Sequence, residues 1–272
     1  MSSIATTLPR ASIQKKDELL LPAFTLWLRE VVRFYRQKAR VVGVIASPIL
    51  FWVVIGSGFG SSFRGGSNAD QHYLEYFYPG ALVMIVLFTS IFTMMSVIED
   101  RKEGFLLSVL VAPVSRSAIV LGKVLGGTTL STVQGLIFLV FAPLVGVHFG
   151  VGNFILIVVA IFLISFALTA LGFAIAWPMD STQAFHAIIN LFLIPLWLLS
   201  GALFPLSGAS GWLRLLMRIN PLTYGVESLR VLLYRGSPAE LGSSMATLVL
   251  FSFFMFGIAF VMVNRRTTKP AA

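Results

Sequence analysis

The chain has 272 residues, of which 57% are hydrophobic and only 11% are charged. Soluble domains carry about 25% charged residues, so this composition is that of an integral membrane protein. The absence of cysteine excludes disulfides and thiolate metal sites, and the net charge is +9. The basic residues lie beside apolar segments, so anionic lipid headgroups and membrane topology explain them better than nucleic acid does.

The N-terminal part predicts an amphipathic helix over residues 22–40. Its apolar side chains share one face at helical spacing: Phe24, Trp27, Leu28, Val31 and Tyr35. Its arginines share another face: Arg29, Arg33, Arg36 and Arg40. This pattern is typical of a helix in the membrane interface, with rings in the lipid and arginines at the headgroups. The helix can be an anchor alone, or it can also contact a partner protein.

Six segments are long and apolar enough to span a membrane, which takes about 20 residues. They are 41–60, 78–97, 126–147, 153–177, 184–204 and 245–263, and the third can begin nearer Ala118. No linker divides them. We expect an all-α membrane domain over 41–264, a cytoplasmic N-terminal segment over 1–40 and a cytoplasmic tail over 265–272. The glycines Gly122 and Gly126, like the pairs Gly56/Gly60 and Gly146/Gly150, have the spacing that permits close helix packing.

Topology follows from the lysines and arginines. Most of the 20 lie before the first span, between the second and third, or after the sixth. The positive-inside rule therefore predicts a multi-pass protein of the inner membrane with both termini in the cytoplasm. Four arginines count against this orientation, because they lie between the fifth and sixth spans: Arg214, Arg218, Arg230 and Arg235. Residues 206–241 around them are expected to form one or two short helices that dip into the outer leaflet.

A run of five charges, Glu99 to Glu103, follows the second predicted span. A charged side chain at the bilayer centre costs roughly 2.5–3.5 kcal/mol, so this run must lie at the membrane surface. The apolar segment behind it is predicted to be a short helix that begins after Gly104 and ends at Pro113. Such a helix favours burial, either in lipid or in a partner protein.

The sequence shows no chemistry that would supply energy. A Walker A loop needs Gly-x-x-x-x-Gly-Lys-Ser/Thr, but Val124 follows Gly122-Lys123 and Ser117 stands where the first glycine is required. No carboxylate lies deep in a predicted span, so an acidic proton relay has no visible parts. Transport against a gradient would therefore need a partner, and a passive channel or a secondary transporter is the alternative.

The sequence gives no better support for a hydrolytic enzyme. The chain has only three histidines, which makes a zinc site improbable. An intramembrane serine protease would pair His186 with Ser200, but these residues would stand about 21 Å apart on one helix.

The charged run and its surroundings resemble ABC-2 type permeases, the membrane subunits of ATP-driven exporters. The resemblance rests on Asp100-Arg101-Lys102-Glu103-Gly104, Pro113-Val114-Ser115-Arg116 and Gly122-Lys123. Tyr78-Pro79-Gly80 and the outer motifs Ser200–Pro205, Asn220–Tyr224 and Glu227–Arg230 agree with it. It covers about residues 29–266.

The resemblance implies a coupling helix in a groove of a separate ATPase subunit. The implied coupling residues are Asp100, Arg101, Lys102, Glu103, Gly104, Phe105, Leu107, Pro113 and Arg116. The implied interface helix would use Trp27, Arg29, Arg33 and Arg36. Two departures stand out, because the family often has threonine where this chain has Phe105 and glutamate where it has Leu107. An apolar contact with the ATPase is expected to replace a polar one.

Assembly and substrate are implied in the same way. Two permease copies would pair with two ATPase subunits, which bind ATP and Mg²⁺, and this chain itself would hold no cofactor and catalyse no reaction. The first, second and fifth spans would line the substrate path. Candidate path residues are Phe88, Phe92, Met95, Asn190 and Trp197. Their apolar and aromatic character favours a lipid-like or amphiphilic substrate.

Overall fold

The computed structural model describes residues 19–58, 73–112, 114–147, 149–234 and 236–265, and its regular elements are all helical. The helices are α1 (Leu20–Arg36), α2 (Lys38–Gly58), α3 (Tyr73–Lys102), α4 (Phe105–Val111), α5 (Arg116–Leu139), α6 (Val151–Ala176), α7 (Thr182–Ala202), α8 (Gly211–Ile219), α9 (Pro221–Tyr234) and α10 (Pro238–Asn264). Short 3₁₀ turns lie at Ala142–Val145 and Leu206–Gly208.

Five helices are long and apolar enough to cross a membrane: α2, α3, α6, α7 and α10. The third predicted span corresponds to α5, which has 24 residues. Lys123 and a run of glycine, threonine, serine and glutamine leave α5 without a segment as apolar as those of these five helices. It begins near the alternative start, Ala118. The predicted end at 147 was too late, because the chain forms a 3₁₀ turn that contains Pro143 and closes at Gly146, whose φ is 69°.

Helix α3 is the centre of the bundle. It has 30 residues, and most of them are buried on every side of the helix. It packs against α2, α5 and α6. A helix that is apolar all round is stable only when its whole circumference is covered, and α3 meets this condition with protein neighbours.

Helix α1 is amphipathic as predicted, but it buries a different face. The residues buried against the bundle are Ala23, Leu26, Glu30 and Phe34, and the half-buried Trp27 donates a hydrogen bond to the Thr129 hydroxyl of α5 at 3.0 Å. The larger apolar side chains Phe24, Leu28 and Tyr35, predicted to form the apolar face, are exposed in the isolated chain. This face is free to meet lipid, so the helix has two apolar surfaces, one for protein and one outside the chain.

Glycines of α5 determine which face of α1 packs against the bundle. A Cβ added at Gly122 would lie 2.6 Å from the Leu26 Cβ and 2.7 Å from the Ala23 carbonyl oxygen, and one at Gly126 would lie 2.8 Å from the Glu30 Cβ. The packing role predicted for this glycine pair is confirmed. The pair Gly146/Gly150 packs nothing, since no atom would lie within 4 Å of a Cβ there. Gly60 of the remaining pair lies outside the described residues.

At the end of the bundle remote from α4, helix α7 contains two π-helical turns, Ile189–Leu193 and Leu198–Ala202. Gly201 has φ 77°, and its carbonyl oxygen accepts hydrogen bonds from the Tyr76 hydroxyl and from Arg230, both at 2.9 Å. Gly80 permits the close approach of this segment, because a Cβ there would lie 2.5 Å from that of Ala202.

The short helices α8 and α9 agree with the short helices predicted for residues 206–241, and their entry into the outer leaflet stays a prediction. Two of the four arginines that count against the predicted orientation have local structural partners here. Arg214 donates to the carbonyl oxygens of Leu206 and Ala209 at 3.1 and 3.0 Å, and Arg230 binds Gly201 as described above. Their positions follow from backbone carbonyls that need donors, so they are weak indicators of the cytoplasmic side. Arg235 lies outside the described residues.

The packing of α1 on α5 predicts the effect of a single methyl group. Gly122→Ala should lower stability by about 1–3 kcal/mol, because the new Cβ meets the backbone of α1. Gly257→Ala in the middle of α10 is the matched control, since nothing lies within 4 Å of its Cβ position and alanine favours the helix. Thermal unfolding of the two purified variants in detergent gives the comparison. Equal midpoints would contradict the close contact.

Candidate functional site

A group of charged side chains is buried where α1, α3 and α5 meet beside α4. We call it the charge cluster. Its members are Arg29, Glu30 and Arg33 of α1, Glu99 and Asp100 of α3, and Lys123 of α5. Three acids and three bases make it neutral as a set.

Asp100 is the centre of the charge cluster and is 0% exposed. Arg29 binds it with two parallel hydrogen bonds, at 2.8 Å to Oδ2 and 2.7 Å to Oδ1. Arg33 donates to Oδ1 at 2.7 Å, and Lys123 donates to Oδ2. The carboxylate therefore accepts four charge-assisted hydrogen bonds from two helices, a geometry in which such bonds are strongest.

Lys123 is 1% exposed and joins Asp100 to a second acid, Glu30. Ser96 completes this part of the charge cluster, because its hydroxyl donates to Glu30 at 2.7 Å and accepts from Lys123 at 3.1 Å. The close approach of α1 at Gly126 brings Glu30 within reach of the ammonium group. Gly122 and Gly126, which let the two helices pack closely, therefore also place Glu30 beside Lys123.

The cost of burying these charges explains why each is paired. Removing one partner of a buried ion pair typically costs about 3–5 kcal/mol, because the other charge is left without compensation. The hydrogen bonds from Arg29 to Asp100 raise the pKa of this guanidinium further above its ordinary value, so Arg29 keeps its charge at any physiological pH.

The charge cluster changes what the sequence suggests for three residues. Asp100 was expected on the surface that meets an ATPase, but its carboxylate is buried inside the chain. Arg29 and Arg33 were expected at lipid headgroups, but they bind Asp100, and Arg33 also binds Glu99 at 2.9 Å. Arg36 is exposed, as a headgroup contact requires. The physical reason is the buried carboxylate, which attracts the nearest cations more strongly than a hydrated surface does.

The short helix predicted behind the charges is α4, which has seven residues. Gly104 precedes it with φ 77°, a conformation that glycine adopts without strain. Leu106 is buried against Leu26 of α1 and Ile119 of α5. Leu107 and Val111, four residues apart, are 63% and 85% exposed. Pro113 lies outside the described residues.

Phe105, which departs from the family pattern, has a partner inside the chain. The guanidinium of Arg29 lies over the Phe105 ring, and the Arg29 Cζ atom is 3.7 Å from the ring centre. This is a cation–π contact, and it links α4 directly to the charge cluster.

Arg101 binds the segment of the chain that follows α6. It donates to the Met179 carbonyl oxygen at 2.7 Å, to Asp180 at 3.0 Å and to the Trp177 carbonyl oxygen. These residues form the turn between α6 and α7. Arg101 therefore joins α3 to that turn, whereas Lys102 and Glu103 are exposed. Arg116 is exposed too and reaches the Val263 carbonyl oxygen at 3.5 Å.

A cavity of about 660 Å³ opens beside α4. It has an apolar floor and a charged rim. The lining residues are Arg101, Leu106, Leu107, Leu110, Trp177, Pro178, Asp180, Met262 and Arg265. Four parts of the chain meet here: the end of α3, α4, the α6–α7 turn and the end of α10.

The candidate substrate-path residues divide into three groups. Phe88 and Trp197 line an apolar cavity of about 190 Å³ between α2, α3 and α7, although the Trp197 indole also donates to the Gly80 carbonyl oxygen at 2.9 Å. Phe92 stacks on Phe88, and Met95 packs against the core. Asn190 is exposed and does not line this cavity.

Sequence reasoning missed Glu30 and Lys123 as members of the site. Glu30 was given no role, and Lys123 appeared in a failed nucleotide motif and in the Gly122-Lys123 motif of the resemblance, without a role in an ion pair. One signal was present, since Lys123 lies between two glycines that were themselves predicted to pack a helix. A lysine on a close helix contact cannot reach water and needs an acid.

Together, the long apolar helices and the short exposed helix held beside the charge cluster are those of a multi-pass membrane protein. A model of the ABC-2 type transporter family matches residues 23–234. The chain belongs to this family. It is therefore a transport permease of an ABC transporter, a transmembrane subunit rather than the ATPase, and permeases of this family generally partner with an ABC ATPase subunit.

Several curated proteins are similar to the chain. The putative transport permease ycf38 of Cyanophora paradoxa is 30% identical over 231 residues, which cover 84% of this chain and 79% of the relative. The daunorubicin resistance ABC transporter permease protein DrrB1 of Streptomyces coeruleorubidus is 24% identical, with 77% and 73% covered. The inner membrane transport permease YadH of Escherichia coli K12 is 23% identical, with 89% and 94% covered.

The pairing of Lys123 predicts a stability effect that a second change reverses. Lys123→Met should destabilise the protein by about 3–5 kcal/mol, because the buried Glu30 loses its close cation and keeps only Arg29 at 3.5 Å. Combining it with Glu30→Gln should recover most of the loss, since Asp100 retains both arginines. Thermal unfolding in detergent is the measurement, and Lys102→Met, the same change at an exposed site, is the control. A Lys123→Met midpoint equal to that of Lys102→Met would contradict the pairing.

Proposed function

We propose that the chain is the permease subunit of an ABC exporter of the inner membrane, with six spans and both termini in the cytoplasm. In this proposal α5 is the sixth spanning helix in addition to the five apolar ones, and α4 is the coupling helix. Two copies of the chain pair with two copies of an ATPase subunit that binds ATP and Mg²⁺. The substrate passes outward between the two permease copies.

The observation that carries the proposal is the exposed face of α4. Leu107 and Val111 project from one side of a seven-residue helix, next to a cavity with a charged rim. Two apolar anchors at i and i+4 are the pattern by which a short helix enters a groove of another protein. The apolar Leu107, where the family often has glutamate, fits such an anchor. Lys102 and Glu103 are exposed beside it; Glu103 accepts a hydrogen bond from Arg33 at 3.4 Å, so Lys102 is the residue of the two that is available for polar contacts.

The apolar outer faces of α2 and α7 support the paired arrangement. Both helices expose large side chains in the isolated chain: Leu50, Phe51, Val54, Leu191 and Phe192. The apolar cavity that contains Phe88 opens between the same two helices and α3. A second copy placed there would enclose a shared apolar space.

The chemistry of this space supports an amphiphilic or lipid-like substrate. The cavity is lined by aliphatic and aromatic side chains alone. One relative is named for daunorubicin resistance, and a drug of that kind belongs to the class that such a space accepts. We extend this class, rather than that compound, to the present chain.

The proposed contact of α4 can be tested with single cysteines, because the natural chain has none. Val111→Cys carrying a photoactivatable cross-linker should form an adduct with an ABC ATPase subunit in native membranes, and mass spectrometry identifies the adduct. Phe253→Cys on the exposed face of α10 is the control and should give lipid adducts only. The same Val111→Cys should resist membrane-impermeant thiol reagents in intact cells. Labelling from outside, or an absent ATPase adduct, would contradict the proposal.

A second variant tests the apolar character of the contact. Leu107→Glu should abolish most co-purification of the ATPase, since the charge must be desolvated in an apolar groove. Leu215→Glu on exposed α8 is the matched control and should leave co-purification unchanged. Equal recovery of the ATPase with both variants would argue that Leu107 does not enter the groove.

A further inference from the structure

The coupling helix is attached to the rest of the chain through one side of its short length. Gly104, with φ 77°, forms its N-terminal junction, Leu106 is its buried residue, and Phe105, Val109 and Leu110 pack half-buried against the same apolar group. A helix of this length has little stability of its own, because nucleation is unfavourable. Its orientation is therefore set by these side-chain contacts, and Phe105 makes the contact nearest the glycine junction.

We propose that Arg29 is a positioning residue for α4, which it holds through the ring of Phe105 while Asp100 holds Arg29. The inference rests on the proposed function of α4 as the coupling helix. Through these contacts the charge cluster makes α1, α5 and the coupling helix move as one body.

The planar guanidinium makes this double contact feasible. Both terminal nitrogens of Arg29 bind Asp100, at 2.8 and 2.7 Å, which fixes the plane of the group. The face of that plane then lies on the Phe105 ring at 3.7 Å. Arginine can use its edge for a carboxylate and its face for a ring at once, whereas lysine cannot.

The remainder of the charge cluster keeps Asp100 in place. Lys123 holds Oδ2 from α5, and Arg33 holds Oδ1 from α1. A displacement of α4 that carries Phe105 with it therefore acts on Arg29, on Asp100 and then on Lys123. Without this link, rotation at Gly104 could absorb the displacement.

Phe105 also accounts for the departure from the family pattern. A threonine at this position would have no π face for the guanidinium and would leave the edge-bound Arg29 without a second contact. The aromatic ring is therefore the feature that joins the charge cluster to the coupling helix in this chain.

The inference predicts the motion of α4 in the permease alone. A spin label on the exposed Val111→Cys should report a docked α4 in the parent, and Phe105→Leu or Arg29→Lys should raise the ratio of undocked to docked helix, resolved as two spectral components, about five- to thirtyfold, the loss expected for a cation–π contact. Phe105→Tyr retains the π face and should leave the ratio unchanged. Phe253→Leu is the matched control, and helical content with a single size-exclusion peak checks the fold of every variant.

A second measurement follows the complex with its ATPase subunit. An environment-sensitive dye on Ile137→Cys, exposed near the far end of α5, should change its emission when ATP and vanadate trap the ATPase. Phe105→Leu should abolish this change while the ATPase still co-purifies, and Phe105→Tyr should restore it. If Phe105 had only a structural role, its substitution would reduce co-purification of the ATPase rather than abolish the emission change alone.

The outcomes separate the inference from the proposed function. Unchanged label motion in Phe105→Leu and Arg29→Lys overturns the inference, as does a Phe105→Tyr variant as mobile as Phe105→Leu, because the π face would then not hold α4. If no ATPase associates even with the parent, the proposed function fails, and the spin-label series still decides whether Arg29 positions α4.

Discussion

A single buried carboxylate organises the α4 end of this protein. Asp100 lies at the end of the central helix α3, where water cannot reach it. Leaving such a charge unpaired would cost several kcal/mol, so the surrounding helices must supply cations. Arg29 and Arg33 from α1 and Lys123 from α5 do so, and the arrangement of these helices follows from that need.

The requirement extends beyond electrostatics. For Lys123 to reach both Asp100 and Glu30, α1 must lie against α5 at backbone distance, which Gly122 and Gly126 permit. Arg29, once fixed by Asp100, has one free face, and Phe105 covers it. The ion pairs, the glycine contacts and the orientation of α4 are therefore one arrangement rather than three separate features.

The sequence predicted the features that depend on local pattern. The long apolar helices, the amphipathic α1, the short α4 after Gly104 and the helices beyond Pro205 all have signals within a few residues. The contacts of Asp100 and Arg29 could not be predicted in this way, because the two residues are 71 positions apart and the sequence shows only that both are charged. The buried face of α1 was missed for the same reason. Hydrophobicity favoured Phe24 and Leu28, whereas the glycines of α5 make close contact with the backbone and Cβ atoms on the face that carries Leu26.

This division of charges has a consequence for recognition by a partner. Of the five charges in the run from Glu99 to Glu103, Asp100 and Arg101 are engaged within the chain, and Glu99 and Glu103 bind Arg33 at 2.9 and 3.4 Å. The exposed part of the region is then dominated by Leu107 and Val111. In the proposed complex, shape and apolar area would hold the ATPase, while the charges hold the coupling helix to its own permease. A strong internal attachment is what a lever requires, because a force applied at α4 reaches the membrane helices only if α4 does not yield first.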